Sequence, residues 1–290
     1  MLHIRNEPIR ITTSCVAFGD FDGIHTGHRA IVAKLLEEAG AKNLIPVIVS
    51  FDRDASGNTP ILTSEDEKFS LLHEQPPELL VSLPPGTTDD AFVKDVLVDA
   101  LGVKTVVTGA NCKKIDFLHK CGWKYGFDVV ECATVESDGE PVTAERIIEA
   151  LQCCDFETAG RLMGHPHVIR GVVVTGKQLG RTIGLPTANI EFVPNKLLPP
   201  DGVYVTMTIL DGARRVGLSN IGLRPTVDNF EYRTVENFIM DFSGDLYGMT
   251  LQLEVLRFIR GVSKFGSLSE VKLQVAKDME VVREYIKSLT

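Results

Sequence analysis

The first half of the chain alternates short apolar runs with stretches of helical periodicity. Residues 15–19, 44–51 and 103–108 are mostly apolar and are bounded by polar or turn residues, which is typical of buried strands. Residues 27–39 and 89–101 instead place apolar side chains at helical spacing. Strands that alternate with helices predict an α/β domain, in which helices pack on a parallel sheet.

Capping residues set the expected limits of the first helix. Thr26 is the candidate N-cap, because a hydroxyl can accept a hydrogen bond from the free N–H groups of the first turn. Gly40 is the candidate stop, because glycine adopts the left-handed conformation that ends many helices.

The second half of the chain has a different pattern, rich in β-formers. Apolar runs separated by glycine, proline or aspartate turns lie at 168–174, 202–210, 216–220, 236–242 and 250–259. This pattern predicts a small antiparallel β-barrel. A long final helix is expected after it, because Ser267 and Glu270 form a candidate capping box. The apolar stripe of that helix comprises Leu268, Val271, Val275, Met279, Val282 and Ile286.

The length of the chain and the distribution of its charge both indicate two domains. Its 290 residues exceed a typical domain of about 100–200 residues, so we expect domains at 1–160 and 161–290, joined by a helix and linker over 150–166. The net charge of −9 is uneven, with −12 in residues 1–160 and +3 in residues 161–290. We therefore expect no nucleic-acid partner, and an anionic nucleotide is better accommodated by the second domain.

Neither a membrane nor an oxidising compartment is indicated. The apolar runs are far shorter than the roughly twenty residues that cross a bilayer, and the first residues lack the pattern of a secretory signal. The six cysteines contain no C-x-x-C pair, so free, reduced thiols are expected. These features predict a cytoplasmic protein, and they leave its oligomeric state open.

A glycine-rich segment follows the first strand of the second half. Gly176 and Gly180 would let backbone N–H groups approach phosphate oxygens, while Lys177 and Arg181 could add positive charge. A glycine-rich β-turn without a ligand is the alternative interpretation.

The following residues suggest a metal site. Thr187 and Asn189, after Pro186, lie two apart on an extended segment, so their side chains should point to one face. Their oxygens suit Mg²⁺, which usually shares its coordination with water and substrate phosphates. A turn with local side-chain hydrogen bonds would explain the same residues.

Several segments together resemble the riboflavin kinase family. The matches are G-x-x-L-G-R-x-x-G-x-P-T-A-N at 176–189, P-x-G-V-Y at 200–204, N-I-G-x-R-P-T at 220–226, and Glu236 followed by D-F-x-G-D-L-Y-G at 241–248. The final signature appears as Lys264, Phe265, Ser267, Gln274, Asp278 and Arg283. One departure is the run 260–265, which lacks the proline and glutamate that usually follow its arginine.

The resemblance implies a six-stranded barrel with MgATP on one side, the isoalloxazine ring on the other and the ribityl chain between. It implies that Thr187 and Asn189 hold Mg²⁺ and phosphate, and that Glu236 is the general base. These three side chains are expected to converge inside the barrel. Arg283, from the final signature, is a further candidate for ligand binding.

The first domain carries a second candidate site at F-G-D-F-D-G-I-H-T-G-H, residues 18–28. His25 and His28 lie at the start of the predicted helix, where the positive end of the helix dipole favours a triphosphate. The neighbouring candidates for nucleotide binding are Asp22, Gly23 and Gly27. The alternative interpretation is that His25 and His28 are surface residues without a role in ligand binding.

This motif resembles the nucleotidyltransferase family, which implies a Rossmann-like domain. With the kinase pattern behind it, the chain is similar to the bacterial bifunctional riboflavin kinase/FMN adenylyltransferase family, sometimes called prokaryotic FAD synthetase. Three segments, 50–55, 109–115 and 143–148, depart from the family patterns. Glu145 would place negative charge near phosphate, at a cost of about 1–4 kcal/mol, although Arg146 remains as a candidate nucleotide ligand.

Three hypotheses follow for the chain as a whole. The main one is phosphorylation of riboflavin to FMN, with possible adenylylation of FMN to FAD, using riboflavin, FMN and ATP as small-molecule substrates and Mg²⁺ as cofactor. The second is a riboflavin kinase whose first domain is non-catalytic or regulatory. The third is a flavin-binding sensor without turnover.

Overall fold

A computed structural model describes residues 1–54, 59–176, 185–210, 212–224 and 232–289. The chain divides into two compact units. The first comprises Met1–Arg146, Leu162–Gly164 and Pro194–Lys196, and the second comprises Ile147–Arg161, His165–Val193 and Leu197–Thr290. A single functional boundary between residues 160 and 161 stays a prediction.

The first unit is built on a six-stranded parallel sheet, as the alternation of strand and helix patterns predicts. The strands of the sheet are β1 (Leu2–Arg5), β2 (Ser14–Gly19), β3 (Ile45–Phe51), β4 (Leu79–Leu83), β5 (Val103–Gly109) and β6 (Asp128–Cys132). Their order is β1-β4-β3-β2-β5-β6, and each neighbouring pair is parallel. The direction of winding therefore reverses between β2 and β5.

Helices and a small hairpin complete this half of the chain. The α-helices are α1 (Thr26–Lys42), α2 (Glu65–Leu71), α3 (Ile115–Tyr125), α4 (Ala144–Gln152) and α5 (Phe156–Met163), with short 3₁₀ turns at Asp22–Ile24 and Leu72–Glu74. The hairpin pairs β7 (Glu136–Ser137) with β8 (Glu140–Pro141). The helix predicted over 89–101 spans Phe92–Ala100 and is a π-helix, in which the Leu101 N–H donates to the Val96 carbonyl.

The predicted limits of α1 were wrong at both ends. His25, not Thr26, is the N-cap, because its Nδ1 accepts from the His28 N–H at 3.3 Å. Gly40 lies inside the helix, which ends at Asn43 in the left-handed conformation. An asparagine can adopt that conformation nearly as well as glycine, so it served as the cap here.

The second unit contains a closed antiparallel barrel. Its strands are β9 (His167–Val174), β10 (Ala188–Glu191), β11 (Gly202–Leu210), β12 (Ala213–Arg224), β13 (Tyr232–Ile239) and β14 (Thr250–Gly261). The order around the barrel is β10-β13-β12-β11-β14-β9, which confirms the predicted six-stranded barrel. The interior is filled by alternate residues of the strands, among them Ile169, Ala188, Ile190, Tyr204, Ile221, Val235 and Leu253.

The final helix, Leu268–Leu289, packs on the outer surface of this barrel. Val282 is fully buried against Val203, Val205 and Leu218, which point away from the barrel interior. The Ser267 hydroxyl accepts from the Glu270 N–H at 3.3 Å, as the predicted cap requires. The Glu270 carboxylate, however, accepts from the Gly266 N–H rather than from the N–H of the cap residue.

A buried ion pair joins two distant parts of the sequence within the first unit. Lys196 Nζ lies 2.6 Å from Glu67 Oε2, and both side chains are at most 1% exposed. Lys196 also donates to the Leu62 carbonyl, and Glu67 completes a capping box with Ser64 at the start of α2. Each charge therefore depends on the other for its solvation.

Replacement of Lys196 by Met is expected to lower the unfolding free energy of the first unit by about 3–5 kcal/mol, because it leaves the Glu67 carboxylate buried without its cation. The double variant with Glu67→Gln should recover part of this loss. Hydrogen exchange of the β2 and β3 amides in the full chain measures the effect.

The matched control is Lys94→Met, because Lys94 makes a 2.6 Å pair with Asp99 in which both side chains are about half exposed. That variant should change stability by less than about 1 kcal/mol. Equal losses in Lys196→Met and Lys94→Met would contradict the assigned role of burial.

Candidate active sites

The residues predicted for phosphoryl transfer lie together on adjacent strands of the barrel. Asn189 on β10 is directly opposite Glu236 on β13, and Glu236 is also opposite Asn220 on β12. Directly opposed residues have Cβ atoms about 4.5–5.5 Å apart. Thr187 precedes Ala188, the first residue of β10, so its side chain shares the face of Asn189.

This shared face is the outer surface of the barrel, so the expectation that the three side chains converge inside it was wrong. Ala188 and Ile190 point inward and belong to the interior core, as does Val235. Strand alternation then directs Thr187, Asn189 and Glu236 outward. The barrel interior holds this apolar core together with Thr206, Ser219 and Asn237, which are buried and hydrogen-bond to one another.

A cavity of about 340 Å³ lies over this outer face. Thr187, Asn220 and Glu236 contribute polar groups to its wall. The apolar part of the wall comes from the barrel and from the start of the final helix, and consists of Leu185, Val203, Leu218, Phe238, Leu268, Val271 and Val275. A volume above about 300 Å³ with apolar walls and few polar groups is typical of a small-molecule site.

Thr187 borders a second, smaller cavity of about 70 Å³. Pro186, which is exposed, and the segment from Phe242 to Tyr247 line this second space. Thr187 thus lies between two cavities, where a group transferred between two substrates would have to be held.

Asn189 carries an unsatisfied acceptor. Its Oδ1 is buried and has no hydrogen-bond partner among the residues that the structure describes. Gly176 packs against the same amide, since a Cβ at residue 176 would lie 2.2 Å from Asn189 Nδ2. An unpaired buried oxygen costs free energy unless a ligand uses it, so the donor set at Thr187 and Asn189 fits a hard cation such as Mg²⁺.

Four further residues of this unit are predicted to bind ligands. Lys177, Gly180 and Arg181 lie outside the described residues. Arg283 is exposed on the final helix and does not line the cavity. Sequence reasoning missed Asn220, although it opens the matched segment 220–226 and shares the outward direction of Glu236.

The predicted site of the first unit lies at the C-terminal edge of its sheet. The winding reverses between β2 and β5, and ligands of open parallel sheets bind in the crevice at such a reversal. His25 and His28 follow β2 at this edge, at the start of α1. Both the sheet and the helix dipole therefore favour an anionic ligand here.

The two histidines form one stacked pair. Their ring centroids are 3.6 Å apart with an angle of 19° between the planes. Burial, and then the charges of His25 and Lys68, hold the pKa of His28 well below its ordinary value of 6.5. His28 Nδ1 is buried without a hydrogen-bond partner in the described part of the chain. His28 is therefore neutral at pH 7 in the absence of a ligand.

Asp22, Gly23 and Gly27 shape the loop that carries His25. The Asp22 carboxylate accepts from the N–H groups of Leu62 at 3.0 Å and Thr63 at 2.8 Å. Gly23 has a φ of +82°, a conformation that other residues rarely adopt. A Cβ at Gly27 would lie 3.0 Å from the His25 ring. These three residues support the site rather than offering free groups to a ligand.

Arg146 is occupied by contacts within the protein. Its guanidinium donates to the carbonyls of Glu140 at 2.9 Å, Pro141 at 2.8 Å and Ser137 at 3.2 Å. These bonds fix the β7–β8 hairpin, whose Asp138-Gly139 turn is a strong hairpin signal that the sequence analysis overlooked. Nucleotide binding by Arg146 would require some of these bonds to break.

Glu145 places a carboxylate at the same edge. Its own backbone N–H and the Thr143 hydroxyl lower the pKa of its carboxyl, and the charges of His25 and Lys113 lower it further. The negative charge thus faces His25 and is stabilised by the start of α4. An incoming phosphate would meet like charge here, as the sequence analysis predicts.

Comparison with known proteins gives matches over both halves of the chain. A riboflavin kinase family model matches residues 163–286, and an FAD synthetase model matches residues 8–146. The bifunctional riboflavin kinase/FMN adenylyltransferase of Escherichia coli (strain K12) is 34% identical over 93% of this chain and 92% of its own length. The chain belongs to the bifunctional riboflavin kinase/FMN adenylyltransferase family.

One further relative and one solved structure are also similar to this chain. The protein of the same description from Haemophilus influenzae is 29% identical over 96% of both chains. A crystal structure described as a macrolide-efflux protein from Streptococcus pneumoniae has a TM-score of 0.80 and 27% identity, and the match covers 98% of this chain and 99% of that chain.

Within the described residues, no helix is long and apolar enough to span a bilayer.

One segment that departs from the family patterns has a structural role here. In the run 50–55, Asp52 and Asp54 both pair with Arg5 on β1, at 2.6 and 2.8 Å. Ser50 contacts both members of a buried pair, Glu65 and Lys68, whose side chains are at most 3% exposed. These residues therefore brace the edge of the sheet.

The neutral state of His28 predicts a pH-dependent stability of the first unit. Because the folded pKa lies below the unfolded value of 6.5, the unfolded chain binds more protons as the pH falls through that value. The His28 contribution is fully present above pH 6.5 and is lost toward the folded pKa. Urea unfolding between about pH 7.5 and 6 should show a falling free energy of unfolding.

The slope should be reduced in His28→Gln, which cannot titrate. His73→Gln serves as the control for removal of an exposed imidazole. An unchanged slope in His28→Gln would contradict the assigned protonation state.

Proposed function

We propose that the second unit transfers the γ-phosphate of ATP to riboflavin and gives FMN. The observation that carries this proposal is the placement of Thr187, Asn189 and Glu236 on one outer face of the barrel, beside a cavity of about 340 Å³. The apolar wall of that cavity suits the isoalloxazine ring, and its polar rim suits the ribityl hydroxyls. Membership of the family supports the same assignment.

Phosphoryl transfer requires that the 5′-hydroxyl of riboflavin is aligned with the γ-phosphate of ATP and that a group accepts the proton of this hydroxyl. The ribityl 5′-oxygen attacks the γ-phosphorus, the bond from that phosphorus to the bridging oxygen breaks, and ADP leaves. Glu236 accepts the proton of the 5′-hydroxyl. Thr187 and Asn189 hold Mg²⁺, which neutralises phosphate charge when it is bound. The position of Thr187 between two cavities supports its role at the transferred phosphate.

Glu236→Gln is expected to lower kcat for FMN formation by about 10²–10⁴, because the amide cannot accept the proton. The Kd for MgATP should change much less. Riboflavin-dependent release of ADP measures the first quantity, and calorimetric titration with MgATP measures the second.

Glu191→Gln is the matched control, since Glu191 is an exposed carboxylate at the end of β10. It should retain wild-type turnover. Full turnover by Glu236→Gln would remove Glu236 as the base, and absence of ADP release from the wild type would favour the flavin-binding sensor.

We propose further that the first unit transfers AMP from ATP to FMN, which gives FAD and pyrophosphate. The supporting observation is the stacked pair of His25 and His28 at the start of α1, where the winding of the sheet reverses. The negative charge of an approaching triphosphate would favour uptake of a proton from water by either imidazole, and the resulting cation would stabilise the charge of the departing pyrophosphate. Family membership favours this activity over a non-catalytic first domain.

His28→Ala is expected to lower FAD formation from FMN and MgATP by at least about tenfold, because one group that stabilises the leaving charge is lost. Phosphorylation of riboflavin should remain. Chromatographic separation of FMN and FAD, with riboflavin or FMN supplied separately, measures both reactions.

His119→Ala is the control, because His119 is an exposed histidine that pairs with Glu131 on β6. No FAD from the wild type, together with normal FMN formation, would instead identify a kinase with a non-catalytic first unit.

Mg²⁺ as the cation, ATP, riboflavin and FMN as the substrates, and a cytoplasmic location are parts of the same proposal. The six free cysteines agree with a reducing compartment. The acidic net charge of −9 supports the absence of a nucleic-acid partner.

A further inference from the structure

One ion pair joins the final helix to the barrel beside the larger cavity. Arg260 on β14 donates through Nε to Asp278 Oδ1 at 3.0 Å, and through Nη2 to Asp278 Oδ2 at 2.8 Å. This two-bond geometry fixes the angle of the guanidinium as well as its distance from the carboxylate. The proposed mechanism does not use either residue.

The surroundings of the pair make it rigid. The Asp278 side chain is 2% exposed, and its Oδ1 also accepts from Gln274 Nε2 at 2.9 Å. Arg260 Nη1 donates to the Gly261 carbonyl, and the guanidinium lies 5.8 Å from the centre of the Phe265 ring. A buried carboxylate that accepts several hydrogen bonds restrains its donors, because moving a donor away leaves the negative charge of the carboxylate buried without compensation.

The pair lies between two differently packed parts of the helix. Toward the C-terminus, Val282 is fully buried against the barrel. Toward the N-terminus, Leu268 and Leu273 are 63% and 62% exposed. This first part covers the cavity through Leu268, Val271 and Val275, and Arg260 and Asp278 themselves belong to the cavity wall. Val275 and Met279 also pack against the apolar cluster of Val282, whereas Leu268 and Val271 lie outside that cluster. The ion pair therefore adds a polar restraint next to the part of the helix that covers the cavity.

We propose that the Arg260–Asp278 pair is a positioning device that sets the width of the flavin cavity. The proposal rests on the riboflavin kinase function proposed above, and it assigns the two residues to the affinity for riboflavin rather than to phosphoryl transfer. The pair holds Leu268, Val271 and Val275 at the distance from Val203 and Phe238 that a planar ring system needs to contact both walls.

Weakening the pair should therefore raise the KM for riboflavin and leave the chemical step intact. Asp278→Asn keeps the shape of the side chain but removes its charge, and Arg260→Lys keeps the charge but cannot form two parallel bonds. Each variant is expected to raise the KM for riboflavin by about tenfold, with kcat at saturating riboflavin and the KM for MgATP within about threefold of wild type.

Arg257→Ala is the matched control. Arg257 lies on the same strand and stacks on Tyr285 of the same helix at 5.8 Å, but it does not line the cavity. Its loss weakens a contact between barrel and helix without touching the cavity wall. The KM for riboflavin should stay at the wild-type value.

Two measurements on the full chain test the proposal, namely steady-state kinetics and titration of riboflavin fluorescence. An unchanged Kd for riboflavin in both Asp278→Asn and Arg260→Lys would overturn it, and so would an equal weakening in Arg257→Ala. If Asp278→Asn fails to fold, Arg260→Lys carries the test, because it retains the buried charge pair.

The titration also separates this inference from the proposed function. A wild type that binds riboflavin without releasing ADP would contradict the kinase assignment, while the change in Kd of the variants would still decide the role of the pair.

Discussion

Alternation of side chains around the closed barrel is the constraint on which the second unit depends. Six strands enclose an interior that holds an apolar core, to which Tyr204 and Leu253 belong, and a few buried polar side chains such as Asn237. Every other residue must then point outward. On β10 and β13 this places Asn189 beside Glu236, with Thr187 next to them. The proposed chemistry would consequently take place on the outside of the barrel, where the first turns of the final helix line the adjoining cavity.

The first unit obeys a different constraint, because all six of its sheet strands are parallel. Parallel strands present their carboxyl ends at one edge, and the reversal between β2 and β5 opens a crevice there. The histidine pair at the start of α1 lies at this edge. Much of the remaining polar structure supports its position: Asp22 holds the loop against Leu62 and Thr63, and the buried Lys196–Glu67 pair holds Leu62 in turn. Several charged side chains in this half of the chain thus hold the loops in place through hydrogen bonds and ion pairs within the protein.

The sequence was sufficient for those features that depend on local periodicity. The strand–helix alternation, the barrel strands and the long final helix were all predicted. Features set by contacts across the fold were missed or misjudged. His25 replaced Thr26 as the cap because its ring reaches the His28 N–H. The barrel face on which Glu236 lies depends on which residues fill the core. The bonds that Arg146 makes within the protein depend on a hairpin that begins ten residues earlier. The spacing of apolar and polar residues along the chain carries no information about contacts of this kind.

The path of the chain through residues 194–196 has a consequence for biosynthesis. A protein emerges from the ribosome from its N-terminus, and domains usually fold in that order. Here the first unit includes Pro194–Lys196, which are synthesised long after β6 and α3 are complete. Until Lys196 emerges, burial of the Glu67 carboxylate would leave it without its cation, which costs free energy. Folding of the first unit is therefore tied to translation of part of the second, and premature termination near residue 160 would yield a fragment that chaperones and proteases recognise as incomplete.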